Sequence, residues 1–198
     1  EAFINYEKAI ILKPDYAEAH HNWGRALLLN NEFEKANKLM EWRWQTDQTI
    51  GIPFNTTRPK WDGITNQKIL LWREQGIGDE IMFSASISDL KSKSNALLVE
   101  CDQRLMPLFK RSMPDNIEYI SDKNKVSIND YDCHLPIGSL PLHFRESIDT
   151  FKKASKGWLR ADSKSIEEFK DEINGYTDKK IIGISWSSNS SLYKANQR

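Results

Sequence analysis

The chain has 198 residues, of which 28 are basic and 28 acidic, so its formal net charge is zero. This balance argues against a protein that binds nucleic acid or an anionic membrane surface. With 39% hydrophobic residues the chain can form a core, and no apolar run reaches the roughly 20 residues that span a bilayer. We therefore expect a globular, cytoplasmic protein with no membrane span and no nucleic-acid partner.

The two cysteines, Cys101 and Cys133, lack the spacing of a zinc site or of a redox pair. We expect two reduced thiols and no metal site. The sequence begins at Glu1 rather than at Met, and it stops at Arg198 soon after an apolar run. We expect the chain to be truncated at both ends.

Residues 1–46 are predicted to be helical. Three helices are expected, at about 1–12, 16–29 and 32–45. Small residues at Ala9, Gly24 and Ala36 would let neighbouring helices approach closely.

The junction Lys13–His20, followed by Asn22-Trp23-Gly24, resembles that of a tetratricopeptide repeat. Such repeats need about three or more copies for stability, so we expect these helices to pack on the next domain or on upstream repeats. An unrelated helical hairpin is the alternative. The resemblance implies a surface that binds a protein or peptide partner.

Segment 47–67 is polar and is predicted to be a linker. It is interrupted by four residues that break helices and strands: Gly51, Pro53, Pro59 and Gly63. Trp61 within the linker is predicted to anchor it by packing, and Trp42 and Trp44 before it are predicted to pack in the same way.

From residue 68 the pattern changes to short apolar runs that alternate with helical stretches. Strands are predicted at 68–72, 96–100, 117–120 and 131–135, and helices at 79–92, 102–112 and 146–154. This alternation is typical of an α/β fold with a Rossmann-like parallel sheet, here over residues 68–162. Ligands of such sheets bind at the carboxyl ends of the strands.

Residues 163–198 are predicted to begin a second wound domain. An amphipathic helix is expected over 163–179, with Ile166, Phe169 and Ile173 on one face. The apolar run 180–186 then predicts a strand, and a loop of hydroxyl and amide residues follows it.

A glycine-rich turn follows the first predicted strand of the sheet, where residues 74–79 read Glu-Gln-Gly-Ile-Gly-Asp. Gly76 and Gly78 let the backbone turn sharply and approach a ligand. Asp79 stands where a helix should begin, so its carboxylate could cap that helix or take a proton from a substrate. The residues alone leave both roles open. The turn lacks the third glycine of a dinucleotide fingerprint and the lysine of a phosphate-binding loop.

A second loop, containing Gly138 and Ser139, follows the fourth predicted strand and meets the same edge of the sheet. Ser139 is predicted to cap a short helix or to contact a ligand there. His134 and His143 flank this loop, and both are predicted to be hydrogen-bonded structural histidines.

Three segments together resemble the heptosyltransferases of glycosyltransferase family nine, which have a GT-B fold. They are Leu70–Phe83 around the glycine turn, Asp132–Pro141 around the second loop, and Ile182–Trp186 in the last apolar run. The resemblance extends over nearly the whole chain, as a tetratricopeptide unit (1–46) and a linker followed by the amino-terminal half of a GT-B domain.

This resemblance implies an enzyme that transfers a sugar from a nucleotide-sugar donor to an acceptor hydroxyl, without a cofactor. It implies that Asp79 is the catalytic base. It implies an acceptor or ligand site near Gln75, Gly76, Gly78, Gly138 and Ser139. It implies a donor site near Ser185, Trp186, Ser187 and Asn189. The acceptor would be a glycan or a protein. Because most of the donor pocket would follow Arg198, we expect the isolated chain to be inactive.

A second hypothesis is a non-catalytic interaction protein, in which the helices bind a protein partner and the wound domain serves as a scaffold. The two hypotheses make different predictions for Asp79, which matters to the first and not to the second.

Overall fold

The computed structural model describes residues 2–47, 53–154 and 157–176, together with residues 182 and 184. The chain forms two compact units, Glu1–Arg160 and Ala161–Arg198. The first unit contains the amino-terminal helices and a parallel sheet, and it therefore holds both glycine-containing loops.

The amino-terminal helices are α1 (Ala2–Leu12), α2 (Ala17–Leu29) and α3 (Phe33–Met40), followed by a 3₁₀ helix at Glu41–Gln45. Trp23, Leu27 and Ala36 form their buried core. Gly24 makes this packing possible, because a Cβ there would lie 3.0 Å from the Leu39 Cβ and 3.2 Å from the Ala36 carbonyl oxygen. The predicted helices are confirmed, and their assignment to the tetratricopeptide type stays a prediction.

The sheet consists of four parallel strands in the order β3-β2-β1-β4. They are β1 (Gln67–Trp72), β2 (Ser94–Glu100), β3 (Ile117–Ile120) and β4 (Cys133–Pro136). In the register, Leu71 of β1 lies opposite Val99 of β2 and Leu135 of β4. The α/β class and the parallel sheet predicted from the alternating pattern are confirmed.

The two faces of the sheet are covered differently. Successive residues of a strand point to opposite faces. Ile69 and Leu71 of β1 join a core with residues from helices, whereas Leu70 between them joins Leu98 and Tyr131 in a smaller cluster with loop residues. Every residue from Ile69 to Trp72 is buried, as expected for a central parallel strand.

The connecting helices of the first unit differ from those predicted over 79–92, 102–112 and 146–154. They are α4 (Ile77–Phe83), α5 (Ile87–Lys91), α6 (Met106–Ser112) and α7 (Leu140–Phe144). The single helix predicted over 79–92 is interrupted by a 3₁₀ turn at Ser84–Ser86, where the Ser84 hydroxyl donates to the Ile81 carbonyl at 2.7 Å. The helix predicted over 102–112 begins only at Met106, because Pro107 favours the first helical turn. The segment Ile148–Ala154 is a 3₁₀ helix.

The end of the linker continues the sheet beyond β4. The Trp61 amide donates to the His134 carbonyl at 2.8 Å, and the His134 amide donates to the Pro59 carbonyl at 3.0 Å. Trp61 is buried in the main core, which confirms its predicted role as a packing anchor.

In the second unit, helix α8 spans Ser163–Tyr176, within the helix predicted over 163–179. The Ser165 amide donates to the Asp162 carboxylate at 3.0 Å at its start. Apart from residues 182 and 184, the strand predicted over 180–186 lies outside the described residues, and so do the donor-side residues Ser185, Trp186, Ser187 and Asn189. None of the helices in the described part of the chain is both long and apolar enough to cross a membrane.

Candidate functional site

A cleft of about 620 Å³ opens at the carboxyl ends of β1, β2 and β3. Gln75 and Gly76 of the glycine turn line it, as do residues that directly follow the three strands. A second cavity of about 640 Å³ is lined instead by residues such as Lys68, Ala96 and Glu118. We take the strand-end cleft as the candidate site because ligands of parallel sheets bind at this edge.

The acids of the cleft are held by specific partners. Glu100 accepts from the backbone amides of Arg73 at 3.2 Å and Lys123 at 3.0 Å. Asp102 accepts from the Arg104 guanidinium at 2.9 Å and 3.0 Å, and this contact lowers the pKa of its carboxyl. Glu80 is buried and accepts from the Asp102 amide at 2.8 Å. Burial raises the pKa of Glu80, against the effect of this hydrogen bond and of the Arg73 charge.

The cations of the cleft are paired as well. Arg73 lies 3.5 Å from Glu80 and 3.4 Å from Asp102, and Lys123 lies 3.6 Å from Glu100. Arg104 is bound to Asp102. Within the described residues, each of the three cations that line the cleft therefore already has an acidic partner.

Asp79 is anchored to the glycine turn through one carboxylate oxygen. Its Oδ2 accepts from the Gly76 amide at 3.2 Å, and the Asp79 amide donates to the Gly76 carbonyl at 3.0 Å. Gly76 is the N-cap of α4 and Asp79 its third residue, so the carboxylate closes the first turn from within the helix and not from the predicted N-cap position at the helix start. Asp79 does not itself line the cleft but contacts Gly76, which does. Its role as a base stays a prediction.

Glu74 connects the glycine turn to the second loop. Its side chain is fully buried, and its Oε1 accepts from the Gly138 amide at 2.6 Å. The two groups are so close that a Cβ at position 138 would overlap the Glu74 carboxylate, which is why glycine is required there.

Arg43 completes a buried polar cluster around Glu74. The Arg43 Nε donates to Glu74 Oε2 at 2.9 Å, and Nη2 donates to Oε1 at 3.1 Å. The Ser139 hydroxyl accepts from Arg43 Nη2 at 2.9 Å and donates to Glu41 at 2.6 Å. Arg43 also donates to Glu41 at 2.7 Å. We call Glu41, Arg43, Glu74, Gly138 and Ser139 the buried polar cluster.

The Arg43 guanidinium thus pairs with two carboxylates, Glu41 and Glu74, and the pKa values of the two are shifted in opposite directions. Burial raises the pKa of Glu74, although Arg43 opposes this effect. At Glu41 burial also acts upward, but Arg43, the Ser139 hydroxyl and Lys60 outweigh it and lower the pKa. One guanidinium cannot neutralise two carboxylates. Lys60, which lies 3.7 Å from Glu41, supplies additional positive charge.

The structure therefore separates the residues predicted to bind an acceptor. Gln75 and Gly76 lie at the cleft, whereas Gly138 and Ser139 belong to the buried polar cluster. Ser139 precedes α7, but the side-chain cap predicted for it does not form: its hydroxyl oxygen accepts from the charged Arg43 guanidinium instead of a helix amide, and its proton is donated to Glu41. Gly78 faces open space, since a Cβ added there would meet no atom within 4 Å.

Of the two histidines at the second loop, His134 is hydrogen-bonded as predicted, and for His143 the described residues show ring contacts. His134 Nδ1 accepts from the Trp72 indole at 3.0 Å. Its neutral form is required for this bond, and burial lowers its pKa. The ring of His143 lies 4.7 Å from that of Trp61.

Sequence reasoning missed Arg43, Glu100 and Lys123. A usable signal for the last two is that each lies at or just after the end of an apolar run, at the edge where parallel strands place ligands. Arg43 has no comparable signal, since its partner Glu74 is 31 residues away.

Neither cysteine has the character of a reactive thiol. Cys101 and Cys133 are free and buried, and burial raises the pKa of each to about 12. Among the described residues no group of three or more His, Cys, Asp or Glu side chains is placed to hold a metal ion.

Comparison with known proteins gives a distant likeness. No protein-family model matches the chain, and no solved structure matches it. The chain is 20% identical to Protein FlbA of Caulobacter vibrioides over an alignment that covers 94% of the chain and 40% of FlbA. The chain thus spans about two fifths of the length of this relative, and at this identity the likeness is to one protein and shows no family.

Proposed function

We propose that the protein is a glycosyltransferase-like enzyme, in which the first unit binds the acceptor and Asp79 takes the proton from the attacking hydroxyl. The observation that carries this proposal is the position of Asp79. Its carboxylate is fixed by the Gly76 amide at the edge of a polar cleft, at the carboxyl ends of parallel strands. The motif resemblance supplies the reaction class.

The contacts of Asp79 are compatible with a base. Only Oδ2 is engaged by the Gly76 amide, and the described residues supply no hydrogen bond to Oδ1. A general base must come within hydrogen-bond reach of the proton that it removes, and Oδ1 is available to accept such a proton. Capping and catalysis are therefore not exclusive at this residue.

The charges of the cleft favour an acceptor over a donor. A donor diphosphate needs cations or free amide groups that stabilise the leaving group. The three cations that line the described cleft are each paired with an acid, so the cleft suits a hydroxyl-bearing acceptor better than a diphosphate.

The proposed reaction takes one step. Asp79 removes the proton of the acceptor hydroxyl, the oxygen attacks the anomeric carbon of the donor sugar, and the bond from that carbon to the diphosphate oxygen breaks. The nucleoside diphosphate leaves with the electron pair, and the configuration at the anomeric carbon is inverted. The proposed donor-side residues, Ser185, Trp186, Ser187 and Asn189, lie outside the described residues.

The test is a turnover assay on the full-length protein with UDP-glucose, GDP-mannose and ADP-heptose as donors. Extract of the producing cells supplies acceptors, and transfer of labelled sugar into product is measured. Loss of a general base typically costs about 10²- to 10⁴-fold in rate, and we expect a loss of this size for Asp79→Asn. Asp115→Asn, at an exposed loop carboxylate, is the matched control. Transfer that Asp79→Asn leaves unchanged would refute the assignment.

A second candidate function is binding of a protein partner by the helices. Ile11, Leu12 and Leu29 are 77%, 86% and 89% exposed, and α1 buries none of its residues. Contiguous apolar side chains left in solvent are typical of surfaces that other proteins cover, and Ile11 and Leu12 are consecutive residues of α1. These residues do not contribute to the cleft, so the two functions are compatible.

This second function is tested by photo-crosslinking in cells. A photoreactive amino acid replaces Leu12 in one variant and the exposed Lys110 in the other. A discrete crosslinked protein is expected from position 12 only. The same products from both positions, or none from position 12, would contradict a binding role.

A further inference from the structure

We propose that Arg43 and Glu74 are positioning residues, through which the amino-terminal helices fix the glycine turn and hence the orientation of Asp79. This inference rests on the proposed function for the role of Asp79. The contact between the helices and the turn is itself independent of that role.

Glu74 is bound tightly enough to fix the backbone on which it stands. Its side chain has no exposed surface, and both of its oxygens are used, by Arg43 and by the Gly138 amide. A buried carboxylate cannot replace such partners with water. Any displacement of Glu74 would therefore leave a desolvated charge without the partners that compensate it.

Arg43 is equally fixed on the side of the helices. It lies in the 3₁₀ helix that follows α3, and its Nη1 donates to the Met40 carbonyl at 3.1 Å and to Glu41 at 2.7 Å. Its side chain is 8% exposed. The guanidinium thus has partners in its own segment, and its Nε and Nη2 form a bidentate pair with Glu74.

The glycine turn is held on both sides by buried carboxylates. Glu74 precedes Gly76 by two residues and is bound to the helices and to the second loop. Glu80 directly follows Asp79, is also buried, and accepts from the amide of Asp102 beyond β2. Asp79 lies between these two fixed points.

The two glycines of the turn add little support, while Ile77 between them packs against the main core. Gly76 and Gly78 are exposed, and a Cβ at Gly78 would meet no atom within 4 Å. Apart from this apolar contact, the polar anchors of the turn are Glu74 on one side and Glu80 on the other. Breaking the Arg43–Glu74 pair would release one of the two sides.

The experiment measures amide hydrogen exchange of residues 74–79 in the full-length protein. Arg43→Lys keeps the charge but loses the bidentate geometry, so we expect exchange in this turn to accelerate about tenfold or more while β2 is unchanged. We also expect kcat of this variant to fall by a larger factor than KM changes. Lys38→Met, which breaks an exposed ion pair with Glu34, is the control and should leave the turn unchanged.

A double variant separates positioning from mere stability. Arg43→Met combined with Glu74→Gln removes both charges. We therefore expect the double variant to recover most of the decrease in urea midpoint that Arg43→Met alone causes. The positioning role predicts that exchange at 74–79 stays fast in this variant. If exchange and midpoint recover together, or if Arg43→Lys leaves the turn protected, the proposal is overturned.

The same experiment distinguishes this inference from the proposed function. Fast exchange at 74–79 in Arg43→Lys, combined with unchanged transfer in Asp79→Asn, would retain the structural coupling and reject the catalytic role. Protected exchange combined with a lost rate in Asp79→Asn would reject the coupling and retain the base.

Discussion

The two glycine-containing loops at the carboxyl edge of the sheet have opposite surroundings. The turn after β1 is exposed at Gly76 and Gly78 and borders a polar cleft. The loop after β4 is buried, with Ser139 only 2% exposed and Gly138 pressed against Glu74. Similar sequence signals therefore mark a candidate ligand site in one loop and an internal support in the other.

This difference shows that the exposed part of a site and the rigid part that supports it can lie in different loops. The exposed turn leaves one oxygen of Asp79 free, and the buried loop holds Glu74 through its backbone amide. A preorganised catalytic group needs a supporting shell that is itself fixed, and the buried polar cluster fits that requirement.

The largest expected effect on stability is at the buried polar cluster. Arg43→Met leaves Glu74 buried without its partner, which should cost about 3–5 kcal/mol of unfolding free energy. Urea unfolding checks this value. Lys38→Met breaks an ion pair whose side chains are 64% and 70% exposed, and such pairs contribute about 0.2–1 kcal/mol. Equal losses in the two variants would contradict the contrast between buried and exposed pairs.

A smaller effect comes from matched glycine substitutions in the two loops. Gly138→Ala forces a Cβ onto the Glu74 carboxylate and should destabilise the protein by about 1–3 kcal/mol. Gly78→Ala meets no neighbour and lies in a helix, so it should stabilise by about 0.5 kcal/mol. Unfolding midpoints of the pair measure the difference, and shifts of the same sign would show that the loops do not differ.

The smallest expected effect is a pH dependence of the unfolding free energy that comes from His134. This residue joins the strands that carry the two loops. Its folded pKa lies below the ordinary 6.5, so the unfolded chain binds more protons near that value. The contribution of His134 to the unfolding free energy is therefore fully present above pH 6.5 and declines as the pH falls below that value.

His134→Asn isolates this contribution. An amide oxygen can accept from the Trp72 indole without titrating, so the variant should lose less stability between about pH 7.5 and 5.5. Glu74 and Glu80 have raised pKa values and act with the opposite sign in both proteins. Unfolding free energies at the two pH values give the slopes, and identical slopes would exclude His134 as their source.

The fold was predictable to the extent that local patterns determine it. The central strand was expected at 68–72 and lies at Gln67–Trp72, because a run of buried apolar residues is specific to a parallel strand. The helix expected over 79–92 was overestimated, since its periodicity does not reveal that Ser84 hydrogen-bonds to the backbone and interrupts it.

The candidate site was predictable only in part. Glycines and an acid after a strand indicated the exposed turn, because backbone freedom and a helix start are local properties. The partner of Glu74 could not be found in this way, since Arg43 comes from another element and ion pairs over such separations leave no periodic signal. The same limit explains why Ser139 was assigned a cap that it does not form.

The catalytic role proposed for Asp79 is best tested by the transfer rate of Asp79→Asn, measured beside its urea midpoint. Asparagine keeps an oxygen for the Gly76 amide, so the unfolding free energy should change by less than about 0.5 kcal/mol. The rate should nevertheless fall by about 10²- to 10⁴-fold, because the base is lost. A rate equal to that of the unchanged protein, at an unchanged midpoint, would contradict this role.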